Sequence, residues 1–496
     1  MVKMLQELLD LLPDAEVQGA IDLPITGIAD DSRRVGQGTL FICLSGHKTD
    51  GHQYIQQAFQ SGAAAVLVER DVSPPPGITV VKVTDTRKAM QVLTPFFYDY
   101  PSRSMRFIGV TGTNGKTTTT HLIRSILLQA GYRVGLIGTI HVLIDDQVRP
   151  VRNTTPDVVE LQEILADMAA AGINYVVMEV SSHALELERV AGCEFDVAVF
   201  TNLTQDHLDF HGTLDQYLQA KAKLFSSLGS GQPAKTGKYA IINTDDPAAG
   251  NFIASCHCPV ISYGAKGQGE VQANDITVRA DGVSFTVAGI FGSMPLKLKI
   301  TGLFNVYNVL AAICAVAVEG IEPRLIKLAL ESFQTVPGRF ELVDEGQPFA
   351  VIVDYAHTPD GLENILKTAT QFAEERIIVV FGCGGDRDKT KRPLMGRLAC
   401  QYGDIVLATS DNPRTEDPLA ILQDIEAGIQ DALIPGKHYE VIPDRRSAIA
   451  KAVQLANPHD IIIIAGKGHE TYQILKDKTI PFDDREIARS IIKEMR

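Results

Sequence analysis

Short apolar runs separated by turn residues recur along the chain, and their spacing predicts its elements. MVKMLQELLDLL at the start has helical periodicity and predicts an amphipathic helix. TLFICLSG (39–46) reads as a buried strand, 54–62 as a helix ending at glycine, and AAAVLVE as the next strand. SPPPG (73–77) reads as a stiff surface loop. A second series opens at Met105. RFIGV predicts a strand, TGTNG a turn, Lys116 to Ala130 a helix and RVGLIGT a strand. Further strands are expected at 174–180, 195–203 and 238–246. Residues 270–300 switch to period-two alternation with glycine turns, which predicts antiparallel strands, and a helical pattern runs from Asn305 to about Val336. Beyond VPGRFELV (336–343), apolar runs at 349–355, 376–382, 404–410 and 460–466 alternate with helical stretches.

Strands alternating with helices imply mostly parallel sheets covered on both faces. The expected fold class is α/β with three domains. Residues 1–101 form a small α/β domain, 102–336 a central P-loop-type, mostly parallel sheet with an antiparallel portion, and 337–496 a doubly wound Rossmann-like domain. The length of 496 residues fits this count. A composition of 45% hydrophobic and 21% charged residues supplies several cores.

A formal net charge of -14 argues against non-specific nucleic-acid binding and offers no basic face to a membrane. No apolar run reaches the roughly 18 residues of a membrane span. The N-terminal pattern lacks a signal-peptide cleavage site. The seven cysteines are scattered without a CxxC and read as reduced thiols, so a cytoplasmic protein is expected.

The sharpest chemical signal is Thr111-Gly112-Thr113-Asn114-Gly115-Lys116-Thr117-Thr118, between a predicted strand and a predicted helix. That context suits a phosphate-binding loop: glycines let backbone N–H groups face phosphate oxygens, and the helix N-terminus adds partial positive charge. Lys116 would reach the β- and γ-phosphates of ATP, and Thr117 would ligate Mg²⁺. Val110 stands where the usual pattern has its first glycine, so the loop is a variant. The bland alternative is a strand-to-helix turn that binds nothing.

Glu179 and His207 fall at the ends of later strands, where open α/β sheets hold ligands. Glu179 with Thr117 suits a hard cation, and His207 can complete a shell. The i, i+4 pair His207 and His211 resembles a zinc pair but lacks the HExxH glutamate and a third ligand, so His211 reads as a polar loop residue. Cys256-His257-Cys258 reads as a surface turn. Lys221 by itself reads as an ordinary helix lysine.

TGTNGKTTTT, EVSSHAL, TNLTQDHLDFHGT, FNVYN (304–308), PGR (337–339) and DYAHTPD (354–360) occur in this order. Together with DSRRV (31–35) and GHKTDG (46–51) they resemble the Mur ligases of cell-wall synthesis across essentially the whole chain, and more distantly the folylpolyglutamate synthetases. The resemblance implies an ATP-dependent carboxylate–amine ligase working through an acyl phosphate, with catalytic Lys116, Glu179, His207 and Lys221. Lys221 would be carbamylated and, with Thr117, Glu179 and His207, hold Mg²⁺. Gly112, Thr113, Asn114, Gly115, Lys116, Thr117, Thr118, Asn305, Arg339 and Asp354 would surround ATP. Ser32, His47, Lys48 and Thr49 would hold the uridine diphosphate end of a UDP-sugar dipeptide, and Asn153, Thr154, Thr155, Ser181 and Arg189 its sugar and peptide. A monomer is expected.

DNPR (411–414) resembles the motif of members that use meso-diaminopimelate, and the implied acceptor set is Arg387, Asp411, Asn412, Pro413, Arg414, Gly466 and Glu470. The chemistry is consistent: two arginines suit the distal carboxylate and Glu470 the ammonium. Taken alone, DNPR also reads as a turn. An L-lysine-adding ligase and a folylpolyglutamate synthetase are the near rivals, and DSRRV and GHKTDG argue against the latter. A P-loop binding module is the rival from another class, and it gives the acceptor residues no shared task. FGCGGD (381–386) lacks the spacing of a dinucleotide loop, and RDKTKRP after it does not read as the start of a helix.

Overall fold

The computed structural model describes residues 1–46, 49–151, 153–229, 235–279, 281–290 and 292–495. His47 and Lys48, expected at the nucleotide sugar, lie outside them.

Three main sheets follow one another along the chain. The first has five strands in the order Glu16–Gln18, Thr79–Lys82, Ala63–Val68, Thr39–Ile42 and Gly27–Ala29, parallel except for the Glu16–Gln18 edge. The second has eleven strands. Its parallel centre runs Val134–Ile137, Tyr175–Glu179, Arg106–Thr111, Val197–Phe200, Tyr239–Asn243 and Val260–Gly264. The third has six strands, and its parallel part runs Ala350–Asp354, Ile461–Ala465, Ile377–Phe381, Ile405–Ala408 and His438–Val441.

The central strands of the second and third sheets are buried along their length, which is why they read as unbroken apolar runs (VAVF, IIVVF, IIIIA). Helix Leu303–Ala317, apolar except for Asn305, Tyr307 and Asn308 near its start, packs between helix Lys116–Gln129 and the second sheet. Helix Lys116–Gln129 itself buries Leu122, Ile123, Ile126 and Leu127.

The α/β class and the three-part layout match expectation, with four local differences. The N-terminal helix is only Leu5–Leu9, after a two-residue strand, Lys3–Met4, that pairs with Pro24–Ile25; Pro13 lies a few residues beyond its end. Within 270–300, strands Val271–Arg279, Gly282–Gly289 and Gly292–Leu298 are antiparallel to one another, but Val271–Arg279 joins Val260–Gly264 in parallel and extends the main sheet. A helix does begin inside RDKTKRP, at Lys391, because Pro393 sits in the first turn where no intrahelical N–H bond is needed. Strand His438–Val441 was not expected: it is an edge strand whose exposed and half-buried residues give no apolar run.

Candidate active site

The second sheet delivers most of the site from the carboxyl ends of neighbouring strands. Arg106–Thr111 feeds the loop 112–115 and helix Lys116–Gln129; Tyr175–Glu179 ends on Glu179; Val197–Phe200 leads to Thr201, Asn202, Asp206 and His207. The strands that follow Arg106–Thr111 lie first on one side of it (Val134–Ile137 and Tyr175–Glu179) and then on the other (Val197–Phe200), all parallel, the arrangement that opens a crevice above the sheet.

The loop is held in the phosphate-cradling form by its glycines. Gly112 (φ +148°) and Gly115 (φ +85°) occupy backbone regions that L side chains rarely adopt, and a Cβ at either would overlap a neighbour, Thr201 Oγ1 or Asn308 Oδ1. Asn202 braces the loop: its Oδ1 accepts from Asn114 N at 2.9 Å and its carbonyl accepts from Thr113 N at 2.8 Å.

Lys116 Nζ donates to the carbonyls of Gly112 (2.9 Å) and Thr113 (2.7 Å). Burial pushes its pKa below the ordinary lysine value, with Glu179 and Asp206 pulling the other way. Lys221, from helix Leu214–Ser226, is not the ordinary helix lysine its sequence suggested. It is 1% exposed, donates to the same Gly112 carbonyl at 2.9 Å, and lies over the Tyr217 ring. Its pKa falls well below the lysine value because of burial and the neighbouring Lys116.

Glu179 is buried and already oriented. Its carboxylate accepts from Thr117 Oγ1 (3.0 Å), Thr139 N (2.8 Å) and Thr139 Oγ1 (3.0 Å). Arg339 donates to Thr117 Oγ1 at 2.9 Å. This oxygen-rich pairing of a hydroxyl and a carboxylate at the loop suits Mg²⁺, which takes one or two carboxylates and leaves the remaining positions to phosphate and water. His207 stands beside Asp206 (3.3 Å) in a left-handed backbone conformation, and desolvation pushes its pKa below the ordinary histidine value, with Asp206 pulling the other way. His211 departs from expectation: its ring is buried at the end of a one-turn helix and bonded to Ser182 Oγ at 3.0 Å. Among the described residues no group of three or more His, Cys, Asp or Glu is arranged to hold a metal ion. The bend containing Cys256 and Cys258 packs both thiols against the apolar core, so it is not a purely surface turn.

Two adjoining cavities meet at this loop. One, about 400 Å³, is lined by Asn114, Gly115, Thr118, Asn308, Arg339, Asp354 and Asp360, with Phe304, Tyr307 and Ile365 as apolar walls. The other, about 540 Å³, brings together three groups that are distant in sequence. They are the loop set (Thr113, Lys116, Thr117, Glu179, His207, Lys221), the set Asn153, Thr154, Thr155, Ser181 and Arg189, and Arg387, Arg414 and Glu470 from the third sheet. Thr155 Oγ1 donates to the Glu179 carbonyl (2.9 Å) and Arg189 to the Thr155 carbonyl (3.3 Å), so the second group is tied to the first.

Several expected residues line neither cavity. Ser32 is buried and donates to Gln57, and Thr49 lies elsewhere on the first unit. Asn305 is buried behind Asn308, whose side-chain amide donates to it. Asp411, Asn412 and Pro413 are buried in the loop that carries Arg414, and Gly466 packs against Asp411. Glu470 is already partnered, accepting from buried Lys467 (2.7 Å) and Asn412 (2.8 Å). Thr139, Asn202, Asp206, Asn308 and Lys467 were not anticipated. Asp206 and Asn308 lie within the quoted TNLTQDHLDFHGT and FNVYN segments, but Thr139 and Lys467 carry no signal apart from their packing.

Fold and cavities together define a phosphate-loop enzyme whose site spans two α/β units. The chain matches sequence models described as the Mur ligase family catalytic domain (residues 24–98), the Mur ligase middle domain (110–316) and the Mur ligase glutamate ligase domain (338–468). It is 48% identical over 492 residues to a UDP-N-acetylmuramoyl-L-alanyl-D-glutamate–2,6-diaminopimelate ligase of Geobacillus thermodenitrificans, covering 99% of this chain and 100% of that one. It is 46% identical to the Bacillus cereus ligase of the same name, with 98% of each covered. A solved structure of a ligase of that name superposes with TM-score 0.69 at 34% identity, over 100% of this chain and 99% of the other. A folylpolyglutamate synthase of Mycobacterium tuberculosis complexed with ADP shares the fold (TM-score 0.63, 18% identity, 83% of this chain and 95% of that one). The chain belongs to the Mur ligase family and is an ATP-dependent ligase.

Proposed function

We propose that this ligase joins meso-diaminopimelate to the glutamyl carboxylate of UDP-N-acetylmuramoyl-L-alanyl-D-glutamate, in the cytoplasm and as a monomer. The observation that carries it is the larger cavity, where a phosphate loop, a polar wall on the second unit and an arginine pair with a glutamate from the third face one space. Relatives at 45–48% identity carry the name of this activity. Among the described residues no helix is long and apolar enough to cross a membrane.

ATP would lie across the loop, with its base toward the smaller cavity near Asn308 and Asp354. Lys116 exchanges its two carbonyl contacts for phosphate oxygens and neutralises charge as the glutamyl carboxylate attacks the γ-phosphorus, the bond to the β-phosphate breaks and ADP departs. Thr154, Thr155, Ser181 and Arg189 hold the peptide end so that this carboxylate faces the phosphate. Arg414 and Arg387 take the distal carboxylate of the acceptor, and the Glu470 carboxylate its ammonium. The acceptor amine, in its neutral form, then attacks the acyl phosphate carbonyl; the C–O bond to phosphate breaks, phosphate departs, and the nitrogen gives its extra proton to solvent. Mg²⁺, when bound, would be held by Thr117, Glu179, His207 and carbamylated Lys221, and supplies charge neutralisation at the phosphates. A lysine held neutral by burial is the form able to add CO₂.

The test is phosphate release from ATP in the presence of the nucleotide-sugar dipeptide and either meso-diaminopimelate or L-lysine. Release only with diaminopimelate is expected. Equal release with lysine, or release without any acceptor, contradicts the proposal.

A further inference from the structure

Arg387 and Arg414 reach the cavity from two separate loops, and both loops have strained backbones. Arg414 (φ 53°) and Asp386 (φ 54°) lie in the left-handed region, which non-glycine residues hold only when their surroundings fix them. The fixing group is Glu416. Its Oε1 accepts from the backbone N–H of Asp386 (2.5 Å) and from Arg392 Nη2 (2.8 Å), so one carboxylate oxygen bonds the Arg387 loop while its own backbone N–H closes the DNPR turn on Pro413 (3.1 Å). Arg392 is 1% exposed and also bonds Asp424 (2.9 Å), which anchors Glu416 from below. Three further bonds join the same loops: Gly385 N to the Asn412 carbonyl (2.9 Å), Arg414 Nη1 to the Gly385 carbonyl (2.7 Å) and Thr415 Oγ1 to Asp386 (2.7 Å). A Cβ on Gly385 would overlap the Pro413 carbonyl, so the loops touch backbone to backbone.

We propose that Glu416, locked by Arg392, is a positioning residue that sets the separation of the Arg387 and Arg414 guanidiniums and so the enzyme's selection of an acceptor with a distal carboxylate. This rests on the acceptor reading given above. The ionised form is the working one: the Arg392 hydrogen bond, outweighing burial, lowers the Glu416 pKa to about 2.

Glu416→Gln separates positioning from plain charge by sign. Removing a negative charge beside two guanidiniums would, by electrostatics alone, tighten their hold on a carboxylate and lower the acceptor KM. Loss of positioning raises it. The expected result is a roughly ten-fold rise in KM for diaminopimelate, with KM for ATP and kcat at saturating acceptor within about twofold of the parent. In an Arg414→Ala background the same change adds less than about twofold, because one of the groups it positions is gone.

An unchanged or lowered acceptor KM overturns the proposal, as does a parallel rise in KM for ATP. If Arg414→Ala itself leaves the acceptor KM unchanged, the acceptor reading fails and takes this inference with it. If Arg414→Ala raises it and Glu416→Gln does not, this inference alone fails. Should Glu416→Gln not fold cooperatively, Thr415→Val at the exposed edge of the same clamp carries the test, with an expected rise of about threefold in the acceptor KM and none for ATP.

Discussion

At the scale of single residues, the proposed function gives two lysines of one site opposite tasks: Lys116 stays charged to meet phosphate, and Lys221 is neutral. Lys116→Ala should abolish ADP formation, a loss of at least about a thousand-fold, while leaving sugar-nucleotide binding nearly intact by calorimetry; retained turnover contradicts its role. Lys221→Met should also lose activity but gain stability. The unfolded chain protonates this lysine below about 10.5, whereas the folded protein holds it neutral far lower. Across that window the unfolded state binds the extra proton, so this group's cost to stability grows as pH falls. In bicarbonate-free buffer at pH 7, the variant should be more stable by about 1–2 kcal/mol in urea unfolding. A Tm equal to or below the parent's contradicts the reading of Lys221 as a buried neutral amine. The loop lysine was legible in the sequence because GKTT has a local pattern. The burial of Lys221 was not, since a helix lysine has the same local signal whether it faces water or Tyr217.

Among elements, the strand–loop–helix unit 106–129 depends on glycines more than on side chains. Gly115→Ala must hold φ near +85° with its Cβ overlapping Asn308 Oδ1. A loss of about 1–3 kcal/mol in stability is expected, together with loss of the thermal shift that a non-hydrolysable ATP analogue gives the parent. An unchanged shift contradicts the assignment of this turn as the phosphate cradle. Element by element, the long buried strands such as Ile461–Ala465 could be read from apolar runs alone. Edge strands such as His438–Val441 could not, because four residues with only Tyr439 and Val441 half-buried are too short an alternation to mark a strand. The helix hidden in RDKTKRP shows the same limit, since proline and basic residues mask a first turn whose N–H groups need no intrahelical partner.

For the whole molecule, the proposed function places acceptor specificity on loops of the third unit, well separated in sequence from the loop proposed to handle phosphate. Arg414→Ala should therefore raise KM for diaminopimelate by roughly a hundred-fold and KM for ATP by less than about threefold, measured as phosphate release. Comparable effects on both contradict the division of labour. The three-unit layout was legible from alternating strand and helix patterns. The meeting of Thr155, Lys221 and Arg414 around one cavity was not, because periodicity places residues on faces of elements and says nothing of which units face each other. That grouping came from the ordered motifs, which also carried Ser32 and Thr49 to positions that line neither cavity.

The carbonyl oxygen of Gly112 accepts from both Lys116 and Lys221. Incoming phosphate draws the Lys116 ammonium away and adds negative charge nearby, and both changes favour a proton on the Lys221 amine. A protonated amine cannot capture carbon dioxide. The enzyme's history should therefore matter: protein equilibrated with bicarbonate before nucleotide should start at full speed, and protein given nucleotide first should show a lag. Identical progress curves for the two orders of mixing would mean that the shared oxygen does not link the two amines.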